Sequence, residues 1–333
     1  MESEDQLVQR TGRAIPSLSG GALCLGIGDD AALISPTGRS ELVLTCDQFL
    51  EGVHFLRDSH PPDSVGYKAL ARATSDIAAM GATPRFFLLT LALPSNKTGA
   101  WFNAFLRGMG RAARLMGMRL AGGDTTRSEK VSISITVLGE IAPGRAITRA
   151  GARPGDIIYV SGKLGRAQLG LELVRSKLDR LPRFHHVLRP HLYPQIRLRL
   201  GVWLARHRVP SAMMDISDGL STDLSRLCRA SRVGARIRAS RVPRVAVPPS
   251  VARRLQKLYL DPVQMALHGG DDYELLFTVP SRHVKWLRRA PGFRELTPIG
   301  EITRSKQILL VRDDGATNLL KPGGWDPFRN KMI

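Results

Sequence analysis

Apolar residues in Leu42-Val43-Leu44-Thr45 alternate in the manner of a half-buried strand, which would deliver Asp47 at its end. Asp63 reads as the N-cap of a helix carrying Tyr67, Leu70, Ile77 and Met80 on its apolar positions and stopping at Gly81. The run from Arg85 to Leu93 predicts a buried strand closed by Pro94, and a helix follows from about Thr98 to Met116, ended by Gly117. Strands near Met118 to Ala121 and Val131 to Glu140 then flank a predicted tight turn at Gly122-Gly123-Asp124.

The segment from Pro143 to Gly155, rich in Gly, Pro and Arg, is the expected linker between two domains, 1–149 and 150–333. Beyond it the strand Ile157 to Val160 leads to a helix across Leu169 to Leu178, and a second helix runs from about Pro194 to Arg206. Met213-Met214-Asp215 leads into a helix from Ser217 or Asp218 to Ala230. A strand over Tyr273 to Val279, a helix over Ser281 to Ala290 and two strands between Leu296 and Val311 complete the pattern. Strands and helices mix in both halves, so the fold class is α/β or mixed α+β, and 333 residues fit two domains.

The longest apolar run, Phe86 to Leu93, contains Thr90 and falls far short of the ~20 residues of a membrane span. The opening Met1-Glu2-Ser3-Glu4-Asp5 is acidic where a signal peptide is basic. Cys24, Cys46 and Cys228 form no C-x-x-C pair, which speaks against a disulfide frame or zinc cluster and for a reducing compartment. A cytoplasmic protein without membrane contact is expected. The net charge of +20 comes from 49 Lys and Arg against 29 Asp and Glu. Its basic residues are scattered and aromatic residues make up only 6%, so a solvated cationic surface is expected rather than a specific nucleic-acid site.

Gly26-x-Gly28-x-x-Ala31 imitates a dinucleotide fingerprint, with Asp47 downstream. Two acids, Asp29 and Asp30, occupy the loop where a pyrophosphate would approach, and Pro36-Thr37-Gly38 interrupts any crossover helix. Gly162-Lys163 also lacks the spacing of a P-loop.

More informative is the placing of acids in a cationic chain. Glycine-flanked loops hold Asp29-Asp30, Asp47, Asp76, Asp124, Asp215 with Asp218, and Asp271-Asp272. A single such loop is an ordinary capped turn. Several together need cations between them, and an oxygen-only ligand set suits Mg²⁺. Aspartate-held Mg²⁺ without a P-loop points to phosphoryl transfer. A metal-dependent phosphatase or nuclease would use the same ligands, and spacing does not choose between them.

Seven motifs stand in order between Gly26 and Leu275: Gly26-Ile27-Gly28-Asp29-Asp30-Ala31, Thr45-Cys46-Asp47, Glu51-Gly52-Val53-His54-Phe55, Ser75-Asp76-Ile77-Ala78-Ala79-Met80-Gly81-Ala82, Gly122-Gly123-Asp124-Thr125-Thr126-Arg127, Asp215-Ile216-Ser217-Asp218-Gly219-Leu220 and Gly269-Gly270-Asp271-Asp272-Tyr273-Glu274-Leu275. In these the chain resembles the thiamine-monophosphate kinase family, of the aminoimidazole ribotide synthetase-like superfamily. The resemblance implies a two-domain fold and a homodimer, with ATP in a cleft of the N-terminal domain and the substrate site completed by the C-terminal domain. It implies transfer of the ATP γ-phosphate to thiamine phosphate with several Mg²⁺ ions.

By motif position the metals would fall to Asp30, Thr45, Cys46, Asp47, Asp76, Asp124, Asp215 and Asp218, and catalysis to Asp30, Asp47, Asp124, Asp215 and Asp218. Gly123, Asp124, Arg149 and Ser217 would meet ATP, and His54, Asp271 and Trp325 would meet thiamine phosphate. The chain departs from the family pattern at Cys46, where Thr is usual, at Ala73, where Asn is common, and at Asp271, where Glu is usual.

Overall fold

The computed structural model describes residues 23–25, 29, 32–34, 40–256 and 260–329. The described residues divide into two compact units, the first made of those up to 78, 82–146 and 326–329 and the second of 79–81 and those from 147 to 325. Both mix strands with helices.

The first unit is a six-stranded sheet with two long helices. In chain order it holds β1 (Leu23–Leu25), β2 (Ala32–Ile34), β3 (Glu41–Leu50), α1 (Pro62–Ala79), β4 (Thr83–Leu93), α2 (Ala100–Met116), β5 (Arg119–Arg127) and β6 (Ser132–Ile141). The strand order is β1-β2-β3-β6-β4-β5, antiparallel except for the parallel pair β4 and β5. Along β3 the parity of the pleat decides which side chains can cooperate. Val43, Thr45 and Phe49 are buried and Asp47 shares their face, whereas Cys46 is exposed on the other. The partner β6 alternates in step, with Ile133, Ile135 and Val137 buried, and Thr45 pairs with Val137 and Asp47 with Ile135.

Helix α1 is apolar on most sides, and Leu70, Ala71, Ala73, Ile77 and Ala78 are fully buried. Ala73, one of the departures from the family pattern, therefore packs in the core. The helix begins at Pro62, so Asp63 lies inside its first turn instead of capping it, because proline at the first helical position already supplies the start. Helix α2 stops at Gly117, which takes a left-handed φ of 69°.

The predicted turn at Gly122-Gly123-Asp124 does not form: these residues run through the middle of β5. A Cβ at position 123 would lie 1.8 Å from the Leu89 carbonyl oxygen of β4. The glycine therefore serves close approach of two strands, not chain reversal.

The second unit contains β7 (Ile157–Val160), α3 (Arg166–Arg175), α4 (His185–Leu192), α5 (Leu198–His207), β8 (Ala212–Ile216), α6 (Leu220–Ser231), β9 (Gly234–Arg238), α7 (Pro249–Arg254), α8 (Pro262–His268), β10 (Glu274–Val279), β11 (Thr297–Thr303), β12 (Ile308–Val311) and β13 (Thr317–Leu319). Its seven-stranded sheet has the order β13-β12-β9-β11-β7-β10-β8, antiparallel except for β12 with β9. Ile158, Val160, Met214, Ile216, Leu224, Leu276 and Ile299 belong to its core. The predicted helix at Ser281 to Ala290 is a 3₁₀ helix over Ser281–Arg289.

Candidate functional site

In the first unit, β3 and the last turns of α1 bring polar groups together from 25 to 31 positions apart. Thr45 Oγ1 donates to Asp76 Oδ2 at 2.6 Å. Asp47 accepts a forked pair of hydrogen bonds from Arg72, Nε to Oδ2 at 2.6 Å and Nη2 to Oδ1 at 3.2 Å. Arg72 also lies over the Phe49 ring, 5.4 Å from its centroid. Two pairs, Thr45 with Asp76 and Asp47 with Arg72, thus link β3 to α1.

Cys46 does not join them through its side chain. Its Sγ accepts from Thr136 Oγ1 at 3.4 Å on the opposite face of the sheet. Asp124 is exposed on β5, where its Oδ1 accepts the Thr125 amide at 2.8 Å. His54 follows β3 in a turn, stacks on Phe49, and accepts the Leu50 amide on Nδ1 at 2.9 Å. That bond places the proton of a neutral imidazole on Nε2. Asp30 lies outside the described residues.

The second unit builds its own cluster around the connection from β8 to α6. Asp215 is buried to 2% exposure and pairs in register with Leu275 of β10. Asp218 and the fully buried Asp223 share the Arg226 guanidinium, which reaches Asp223 Oδ1 at 3.0 Å and bonds Asp218 Oδ2 as well. Asp223 Oδ2 accepts the Asp218 amide at 3.0 Å. Burial, with the charges of Asp218 and Asp215, pushes the Asp223 carboxyl well above the usual carboxylate range, and Arg226 opposes this.

Two further segments meet the same connection. The Asp271 amide donates to the Ser217 carbonyl at 2.7 Å and the Trp325 amide to the Asp218 carbonyl at 2.9 Å. Asp271 Oδ1 accepts the Tyr273 hydroxyl at 2.7 Å, and both residues hold left-handed φ values, 66° and 51°. Ser217, Asp218, Asp271 and Trp325 are therefore neighbours. Arg149 lies in the second unit, where its carbonyl accepts from Ser231 Oγ at 2.9 Å.

Arg72, Asp223, Arg226 and Tyr273 were not singled out from sequence. Arg226 stands three residues after Asp223 on α6, and Arg72 four before Asp76 on α1, both recognisable helical spacings.

The donor chemistry fits Mg²⁺. The acidic candidates offer the hard oxygens that Mg²⁺ takes, while Asp47 and Asp218 are each paired with a guanidinium that would have to turn aside for a metal to bind. Among the described residues no three His, Cys, Asp or Glu side chains form one metal-binding group; the candidates stand as pairs and as the Arg226 cluster.

Residues 28–141 match the family model for AIR synthase related protein, N-terminal domain, and residues 153–312 match that for its C-terminal domain. Thiamine-monophosphate kinase of Bacillus subtilis (strain 168) is 35% identical over 314 residues, 92% of this chain and 94% of that protein. The Escherichia coli (strain K12) enzyme of that name is 36% identical over 91% of this chain and 92% of its own length. A solved structure of AaThiL complexed with AMPPCP and TMP superposes with a TM-score of 0.82 at 32% identity, covering 97% of this chain and 96% of that one. With both domain models matched and these relatives aligned nearly end to end, the chain belongs to the thiamine-monophosphate kinases, enzymes of the AIR synthase-related family.

Proposed function

We propose that this kinase transfers the γ-phosphate of ATP directly to the phosphate of thiamine phosphate, giving thiamine diphosphate and ADP. The observation that carries the reading is the near full-length match to a structure holding both AMPPCP and TMP. In the first unit Thr45, Asp47, Asp76 and Asp124, with Asp30 and the main-chain carbonyl of Cys46, would hold Mg²⁺, and in the second Asp215 and Asp218 would do so. When bound, Mg²⁺ supplies charge neutralisation on the phosphate oxygens.

The chain's own groups have simpler tasks. An acceptor phosphate has a second pKa near 6, so its oxygen is largely anionic at neutral pH and needs no strong base. Relief of repulsion and alignment matter more, which accounts for aspartates outnumbering bases here. Arg149, Gly123, Asp124 and Ser217 are assigned to ATP. Asp271, oriented by the Tyr273 hydroxyl, is assigned to the cationic thiamine moiety together with His54 and Trp325.

The protein is assigned to the cytoplasm as a homodimer. Support for the dimer comes from β5, at the sheet edge with all nine residues exposed, and from Phe86, Leu88 and Leu120, 44%, 39% and 57% exposed. No described helix is long and apolar enough to cross a membrane.

Incubation with ATP, Mg²⁺ and thiamine phosphate, followed by chromatography, tests the reading. Thiamine diphosphate should form with thiamine phosphate and not with thiamine or aminoimidazole precursors. Turnover of an aminoimidazole precursor in place of thiamine phosphate would overturn it.

A further inference from the structure

Within the second unit, a solvent-open cavity of about 80 Å³ lies where the turn before α3, helix α4 with the segment after it, and the start of β10 meet. Its wall carries Lys163, Arg166, His186, Arg189 and Arg197, with only Asp272 and Glu274 as acids. Both acids are already engaged. Glu274 accepts two hydrogen bonds from Arg197, at 2.6 and 2.8 Å, and a third from Ser161 Oγ at 2.6 Å. Asp272 accepts the Gly165 and Ala167 amides at the start of α3, at 2.6 and 3.2 Å.

Helices α3 and α4 approach closely because position 170 has no side chain: a Cβ there would lie 2.6 Å from the His191 Cβ. That approach puts Arg166 of α3 and Arg189 of α4 on one wall. Lys163, Arg166 and Arg189 are exposed and form no ion pair among the described residues. Like charges gathered on a concave surface repel one another until an anion lies between them.

We infer that this cavity is an accessory site for a phosphoryl anion, taken up as inorganic phosphate or as the phosphate of a small ester, separate from the aspartate clusters. Two guanidinium forks and an ammonium match tetrahedral oxygens better than they match a planar or apolar ligand. The opening to solvent leaves the remainder of an ester free to lie against the Tyr193 and Pro194 rim. Burial pushes the Asp272 carboxyl up to about 7, with its two amide bonds opposing, so near neutrality the wall repels an anion less than two full carboxylates would.

The site lies beyond the kinase reading, and its test needs neither ATP nor Mg²⁺. Full-length protein is titrated with inorganic phosphate by calorimetry at constant ionic strength. The Arg166→Ala/Arg189→Ala double variant, the Lys163→Ala variant and the Asp124→Asn/Asp215→Asn double variant are titrated alongside.

Saturable one-site binding is expected in the wild type and in the aspartate variant. It should weaken by about tenfold or more in the arginine variant, as loss of charge-assisted bonds requires, and by less in Lys163→Ala. Circular dichroism checks the fold, which exposed, unpaired arginines leave intact. Phenyl phosphate binding more tightly than inorganic phosphate would identify an ester as the occupant, and equal affinities would identify the free anion. No saturable binding to the wild type, or binding unchanged in the arginine variant, overturns the proposal.

Discussion

Thr45 and Asp76 are joined by a 2.6 Å hydrogen bond that ties the middle of β3 to the end of α1. Thr45 is buried, so its hydroxyl has little access to water and Asp76 is its partner. Thr45→Val keeps the shape and deletes the donor, at a cost of about 1.5–3 kcal/mol for a bond to a carboxylate. Asp76→Asn should lower turnover by about tenfold or more at limiting Mg²⁺, and extra Mg²⁺ should recover part of the loss in both variants. Steady-state rates against Mg²⁺ concentration check this. An unchanged Mg²⁺ requirement in both would remove the pair from the metal site.

The pleat separates Cys46 from Thr45 and Asp47, so its thiol should be dispensable. Cys46→Ala is expected to keep most of the wild-type turnover, and Cys46→Thr at least as much, because a thiol is a poor ligand for a hard cation. Cys46 and Cys228 should also differ in reactivity. Burial pushes the Cys228 thiol up to about 12, leaving almost no thiolate at neutral pH, whereas Cys46 is exposed. Maleimide labelling read by peptide mass spectrometry should modify Cys46 in the native protein and Cys228 only after unfolding.

Asp271 and Tyr273 form a pair whose loss should act on one substrate. Asp271→Asn tolerates the left-handed backbone, so the expected effect is electrostatic: KM for thiamine phosphate rises on the order of tenfold while that for ATP barely moves. Tyr273→Phe deletes only the hydroxyl donor and should move the same constant in the same direction by less. Asp271→Glu restores the charge and should be tolerated. Equal effects of Asp271→Asn on both substrates would return the pair to a structural role.

Asp272 predicts a pH dependence of stability. Its folded-state pKa, about 7, lies above the usual 3.8. Between those values the folded protein holds a proton that the unfolded chain has released, so this group's contribution to stability falls as pH rises and levels off above 7. Its slope is at most about 1.4 kcal/mol per pH unit. Denaturant unfolding at several pH values should give a flatter profile for Asp272→Asn than for the wild type across that window. Parallel profiles would show that the carboxyl is ionised throughout.

What could be read from sequence was what local chemistry determines. Helices α1 and α2 were predicted because their apolar spacing and glycine stops are written in consecutive residues, and β7 was predicted in full. Strand β9 was missed because Arg236 and Arg238 alternate with core residues and resemble a charged loop. The Gly122-Gly123-Asp124 reading failed because glycine signals both a turn and a close backbone contact, and only the partner strand distinguishes them. In the site, the aspartates were legible as residues in glycine-flanked loops. Their partners are less so: Asp47 is 25 positions from Arg72 and Asp76 is 31 from Thr45, distances at which pairing is a property of the fold.

Strand β5 carries two adjacent glycines with opposite freedom to vary. At Gly122 a Cβ would meet only the Leu88 Cδ2, at an ordinary 3.6 Å, whereas at Gly123 it would overlap the Leu89 main chain. A saturation library selected for folded protein would therefore fill position 122 with several residues and return one codon family at 123. The next residue is Asp124, so the spacing between β4 and a candidate metal ligand depends on a position that natural variation cannot use for tuning.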